Sequence, residues 1–247
     1  MTAADPLIFT SIPIAVIVLC ILLAGSIVQA GLGMGFGLLT APLFALIDPA
    51  LVPGPTLYLG MFTSLLGVFR EPHSIAWSEV KIGALGRLVG VAIGAAALYS
   101  VADQKTFSLV FGIVIGTAVL ISALGWNMAF TTRNLMSMSV ISGAMGVITS
   151  VGAPPMALLY AQRPAATARP TMAAFFAVGC FLSIIGLNLA GWGGLKDLWI
   201  ALFMVPGVLV GTWLARRMQG RFDKRFQPIL IGIAGLASVL LIIRGLT

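Results

Sequence analysis

The sequence is poor in charge. Only 9% of its 247 residues are Asp, Glu, Lys or Arg, where a soluble domain carries roughly 25%, so it has too little polar material to cover a surface in water. A single His, two Cys and seven acidic residues fall short of the side-chain inventory of most hydrolases, metalloenzymes and redox enzymes. There is no P-loop for ATP, and no metal or other cofactor is expected. The 14 Lys and Arg leave a formal net charge of +7, but they sit between apolar runs and form no continuous patch, which argues against nucleic acid as a partner. No Lys or Arg precedes Arg70, so the apolar start lacks the basic flank of a cleaved signal peptide, and its first segment is expected to persist.

What the sequence has is apolar length: 60% of its residues are hydrophobic and its mean hydropathy is +1.10. Such a chain belongs in a lipid bilayer, as one transmembrane domain over 1–247. A crossing of a core about 30 Å thick takes roughly 20 helical residues, which caps the count near ten spans. The forty-two residues between Asp5 and Asp48 carry no charge, and as one helix they would extend about 63 Å, twice the hydrocarbon thickness. The chain must break. Ala30-Gly31-Leu32-Gly33-Met34-Gly35-Phe36-Gly37 places Gly at every second position, each costing about 1 kcal/mol of helix propensity against Ala. A first helix over about 7–29 and a short one over about 38–47, ended at Asp48-Pro49, are expected, with the extended Gly segment traversing the rest of the bilayer. Further apolar segments are read at about 51–69, 80–101 with Arg87 inside, 106–124, 135–160, 171–190, 198–214 and 226–243, with a polar turn at Gly125-Trp126-Asn127. The stretch after Asn134 breaks in its turn at Ser150-Val151-Gly152-Ala153-Pro154-Pro155, ahead of a short helix over 156–160.

At an offset of about 115–120 residues the two halves align: Gly33 with Gly152, Thr56 with Thr171, Gly90-x3-Gly94 with Gly207-x3-Gly211, and Asp103-Gln104-Lys105 with Asp223-Lys224-Arg225. The expected fold class is therefore an all-α polytopic membrane protein of 8–10 helices, an internal repeat of about five segments each over about 7–124 and 134–244. An odd number of segments inverts the second copy. Placing every crossing collects Arg70, Lys81, Arg133, Arg163, Arg169, Arg216, Arg217, Arg221, Lys224 and Arg225 on one side. By the positive-inside rule that side is cytoplasmic and both termini face outward. The other side receives Asp5, Asp48, Asp103, Lys105, Lys196, Asp197 and Arg244.

The broken motif Gly31-x-Gly33-x-Gly35, its second copy Gly152-Ala153-Pro154-Pro155 and the two Gly-x3-Gly helices resemble the TauE/SafE family of membrane transporters, over nearly the whole chain. The resemblance implies a bacterial inner-membrane protein that moves small sulfur-containing anions, sulfite or organosulfonates such as sulfoacetate, usually outward. Many members follow the first break with Gly-Gly-Gly and a Val-Pro; this chain has Gly33-Met34-Gly35-Phe36-Gly37 and Ala41-Pro42.

Irregular backbone inside a membrane is tolerated only where protein buries it or a cavity lies beside it, and paired breaks at equivalent positions are the best sequence pointer to a transport site. Half-helices that start at mid-depth aim free N–H groups and positive dipole ends at the centre, which suits an anion. The candidate binding residues are Gly31, Gly33, Met34 and Gly35 in the first break and Gly152, Ala153, Pro154 and Pro155 in the second. Supporting donors come from Gln29, Thr40, Thr56, Tyr58, Thr63 and Ser64, and from Thr149, Ser150, Tyr160 and Thr171. Each Ser or Thr has the competing reading that it bonds its own backbone. Arg87 either attracts the anion or, the favoured reading for a residue six positions beyond Lys81, snorkels to the interface. His73 reads as a surface residue, Cys20 and Cys180 as buried small hydrophobes, and the 11 Met as packing.

None of the seven acids falls inside an apolar run, so a proton relay through a buried carboxylate is not expected. An inside-negative potential alone would drive an anion outward. Import of thiosulfate or another small organic acid, a membrane enzyme and a non-transporting scaffold are the rival readings. The Gly-x3-Gly faces leave packing within one chain or in a homodimer open.

Overall fold

The computed structural model describes residues 6–101, 103–124, 128–217 and 226–247, side chains of 226–230 excepted, and these are all-helical. Asp5, Gly125-Trp126-Asn127, Arg221, Asp223, Lys224 and Arg225, which entered the sequence reading, lie outside the described residues. The helices are α1 (Leu7–Thr10), α2 (Ile12–Leu32), α3 (Phe36–Ile47), α4 (Gly54–Arg70), α5 (Trp77–Tyr99), α6 (Gln104–Leu124), α7 (Thr132–Thr149), α8 (Ala153–Tyr160), α9 (Ala165–Leu189), α10 (Leu195–Arg217) and α11 (Phe226–Leu246). Among the described residues five of them, α2, α5, α6, α9 and α10, are long and apolar enough to cross a membrane. The protein is a multi-pass membrane protein.

Each span divides by face. On α5, Leu85, Leu88, Val89 and Ile93 are exposed while Gly83, Gly86, Arg87, Gly90, Val91 and Gly94 are buried. That is the reverse of a soluble helix, since large apolar side chains meet lipid and small residues meet protein. The small face lets backbones close up. A methyl group at Gly94 would sit 2.7 Å from the Ala144 carbonyl oxygen on α7, and one at Gly211 would sit 2.9 Å from the Leu23 carbonyl oxygen on α2. Both Gly-x3-Gly faces thus pack within the chain. α5 lies along α7, α2 along α10, α4 against α9 and α6 against α11.

The first break is shorter than its glycine spacing suggests. α2 continues through Gly31 to Leu32 and α3 starts at Phe36, so only Gly33, Met34 and Gly35 leave the helix. Three residues extend about 10 Å at most. No long Gly segment traverses the bilayer: the helices on either side absorb Gly31 and Gly37 despite a propensity cost of about 1 kcal/mol per glycine. α3 then turns back: Asp48 at its close accepts from the Leu7 amide at 2.8 Å and from the Ala50 amide at 2.9 Å, which ties it to the end where the chain enters. The second break is also three residues, Ser150-Val151-Gly152. α8 turns back in the same way, its Tyr160 ring edge-on against Phe130, just before α7, at 5.1 Å.

The two breaks are capped alike. Gly33 ends α2 in the left-handed region at φ 77°, its amide donating to the Gln29 carbonyl at 2.8 Å, and Ser150 ends α7 at φ 63°, its amide donating to the Gly146 carbonyl at 2.8 Å. Cys20 also departs from expectation: it is exposed on the outer face of α2, while Cys180 is buried.

Candidate functional site

The two breaks touch. A methyl group at Gly37, one residue into α3, would strike the Ser150 carbonyl oxygen, so only a residue without a side chain lets α3 start against the second break. A tight cavity of about 30 Å³ lies at this meeting point. Its walls are Gln29, Gly35, Phe36, Gly37 and Leu38 from the first break, Ser150, Gly152 and Ala153 from the second, and Thr56, Gly60 and Ser64 of α4. Arg87 of α5 and Phe176 and Cys180 of α9 complete it.

Arg87 is 1% exposed. It does not snorkel: α5 begins at Trp77, ten residues and about 15 Å before it, which puts Arg87 at the midpoint of the span and out of reach of either interface. Its Nη1 donates to Ser142 Oγ at 2.9 Å, and that hydroxyl donates onward to the Gly152 carbonyl at 2.7 Å. The guanidinium carbon lies 5.2 Å and 5.4 Å from the ring centroids of Phe175 and Phe176, within cation–π range. Its Nε is buried and has no hydrogen-bond partner. The side chain passes over Gly179, where a methyl group would collide with Nε. None of the described residues lining this cavity is Asp, Glu or His. A full positive charge is therefore buried halfway along α5, with an open donor and no counter-ion among the described residues, an arrangement that favours an anionic partner.

The first break contributes differently. Gln29 Oε1 accepts from the Phe36 amide at 3.1 Å, and its Nε2 donates to Ser64 Oγ at 3.1 Å and the Gly33 carbonyl at 3.3 Å. The Gly37 and Leu38 amides come next in the first turn of α3, where no intrahelical acceptor exists, and both residues line the cavity. At the second break Pro154 and Pro155 occupy the first turn of α8 and carry no N–H. Thr149 Oγ1 takes the Val151 amide at 3.2 Å. α8 thus offers few donors, and Arg87 supplies them on that side.

Of the sequence-derived residues, the structure brings together Gln29, Gly35, Thr56, Ser64, Ser150, Gly152, Ala153 and Arg87. Gly31, Met34, Pro154 and Tyr160 line an adjoining cleft of about 480 Å³ with Arg163 and Arg169, which shares Gly35, Leu38 and Ala153 with the central cavity. Gly33 and Thr63 border a further cavity. The rest serve packing or bond backbone: Thr40 donates to the Phe36 carbonyl, Thr149 to the Met145 carbonyl, and Thr171 accepts from the Ala76 amide. Tyr58 is half-buried against the apolar core and Pro155 is buried in α8. Ser142, Gly37 and Gly179 are site residues that the sequence reading misses. Ser142 is a hydroxyl a little over two turns before Ser150, a signal present in the sequence. Gly179 carries none, because its role depends on which side chain crosses it.

No curated protein and no solved structure matches the chain. A family model described as sulfite exporter TauE/SafE matches residues 17–241, nearly the whole chain and both breaks included. A charge-poor helical bundle with Arg87 buried between two helix breaks is in keeping with that match, and the chain belongs to the sulfite exporter TauE/SafE family of membrane transporters, which are not enzymes.

Proposed function

We propose that the protein exports a small sulfur oxyanion, sulfite or an organosulfonate such as sulfoacetate, across the bacterial inner membrane, and that the anion binds between the two breaks. The family implies transport of sulfur anions; the observation that carries the site is the buried Arg87, its Nε unpartnered, on the wall of a cavity free of described acids. A sulfonate or sulfite head accepts several hydrogen bonds at once, and Arg87 with the Gly37 and Leu38 amides offers donors from two directions.

An inverted repeat over about 7–124 and 134–244 supplies the alternation of access. It is supported by the way the packing pairs off: α2 with α10 answers α5 with α7, α4 with α10 answers α9 with α5, and α3 with α11 answers α8 with α6. The two short helices approach the cavity from opposite ends. Outward-facing termini are supported by which charges share an end. Arg70, Arg169 and Arg216 line one cavity, and Arg163 pairs with Glu79, while at the other end Lys105 Nζ donates to the Thr247 carbonyl at 2.7 Å and Asp48 holds Leu7. A homodimer would use faces other than the Gly-x3-Gly pairs.

With no carboxylate or imidazole among the described residues of the cavity wall, the membrane potential is the driving force. It contributes roughly 2.3 kcal/mol per charge per 100 mV. In proteoliposomes, sulfite efflux rises as a potassium-diffusion potential is made more negative inside. Flux that ignores the potential overturns the electrogenic step, and flux of none of the sulfur anions overturns the substrate class.

A further inference from the structure

A second group of basic residues gathers away from the central cavity. Arg70 at the end of α4, Arg169 in the first turns of α9 and Arg216 at the end of α10 line one niche, with Gln29 and Thr63 as its inner wall. The positive-inside rule asks only that arginines lie on one side in loops or helix ends; it does not ask that three of them converge between four helices. Among the described residues of the niche wall the acid is Glu71, 3.7 Å from Arg70 Nε, so these residues carry a net positive charge of two. Arg169 Nε is buried and has no hydrogen-bond partner. The Arg169 backbone is pressed onto the first break, its carbonyl oxygen 2.6 Å from where a methyl group on Gly33 would lie.

The niche and the central cavity have one wall in common. Gln29 lines both, and its amide is the group that holds the Phe36 amide and Ser64.

We infer that Arg70, Arg169 and Arg216 form a second anion site, a receiving station for the soluble oxyanion on the same end as the basic loops, with Gln29 as the partition between it and the central site. The inference rests on the central-site reading for the identity of the anion, not for the existence of the niche. Two like-charged anions one side chain apart repel each other, so filling the niche would also weaken retention at the centre, as a conducting pathway requires.

The test is calorimetric titration of the purified full-length protein with sodium sulfite at low ionic strength, on wild type, Arg169→Gln, Arg216→Gln and Arg87→Gln. Wild type takes up two equivalents. Arg169→Gln and Arg216→Gln each weaken one of them roughly tenfold, the effect of removing a charge-assisted hydrogen bond, and leave the other, while Arg87→Gln does the reverse. Arg216 is exposed, so its substitution leaves folding intact even if Arg169→Gln does not insert. One equivalent that disappears only in Arg87→Gln overturns the niche and keeps the central site. One equivalent that disappears only in the niche variants overturns the central site and keeps the niche; no uptake overturns both. The titration is repeated in nanodiscs of neutral lipid and of phosphatidylglycerol. Two equivalents in both support a site for a soluble anion, and loss of the niche equivalent in phosphatidylglycerol overturns it in favour of a lipid phosphate.

Discussion

In the first break the backbone is held by a neutral side chain, Gln29, and the helix behind it keeps its N–H groups; in the second, Pro154 and Pro155 strip α8 of two donors and the ordering falls to Ser142 and Arg87. Both breaks are three residues long and both end their preceding helix in the left-handed region. The shared backbone geometry brings the two breaks together, and the unshared side chains make one wall of the cavity dipolar and the other charged. Ser150 shows the same division of labour, since a non-glycine residue at φ 63° is costly and is held here by its Oγ donating to the Pro53 carbonyl at 2.9 Å.

The largest expected effect removes the charged wall. Arg87→Gln keeps a polar side chain on α5 but loses the cation, and sulfite flux in proteoliposomes falls at least about 100-fold, two charge-assisted hydrogen bonds' worth, with insertion and size-exclusion profile unchanged. Retained flux would shift the site to the backbone of the first break. Gly179→Ala comes next: its methyl group lands on Arg87 Nε, so the guanidinium is displaced without being deleted, and flux falls about 10- to 100-fold if position matters as well as charge.

Gln29→Leu attacks the other wall. It leaves the buried Phe36 amide without its acceptor, at a cost of roughly 1–3 kcal/mol, seen as a lowered thermal midpoint together with a flux reduced about tenfold. A variant with lowered flux and unchanged midpoint would mean that Gln29 acts on the anion and not on the break. The smallest effect is Ser142→Ala. It removes one link between Arg87 and Gly152 worth about 1 kcal/mol while cation–π contact with Phe175 and Phe176 still holds the guanidinium, so flux drops about fivefold. An effect as large as that of Arg87→Gln would show that the hydroxyl, not the rings, orients the cation.

The long apolar helices were legible to within two turns, the start of α9 at Ala165 lying farthest from its expected place, because 20 residues of uninterrupted hydrophobicity have few fates in a bilayer. The breaks were legible too, from Gly at alternate positions and from Gly152 ahead of Pro154-Pro155. Their extent was not. Gly31 and Gly37 stay helical although each is only partly buried, and Gly37 is required there by the approach of Ser150, a contact between residues more than a hundred positions apart. The burial of Arg87 was not legible, for a local reason: α5 begins at Trp77 and not at the charged Lys81, which adds a full turn of helix ahead of Arg87.

Composition by itself determined the solvent and the scarcity of titratable groups, with 9% charged residues, and the uninterrupted apolar runs of about 20 residues determined the helical class, since a backbone in lipid is satisfied by helices or closed barrels and barrel strands alternate in polarity. Family membership was likewise carried by residues readable in order along the chain. Only the tertiary structure decided which polar side chains meet. Thr40 and Thr63 bond their own helices while Ser142 reaches a break ten residues on, and hydroxyls at equal hydropathy take either role according to what packs against them. It also decided that Arg87 faces inward, because the direction of one side chain on α5 depends on the glycines of α7 and α9 that leave space for it.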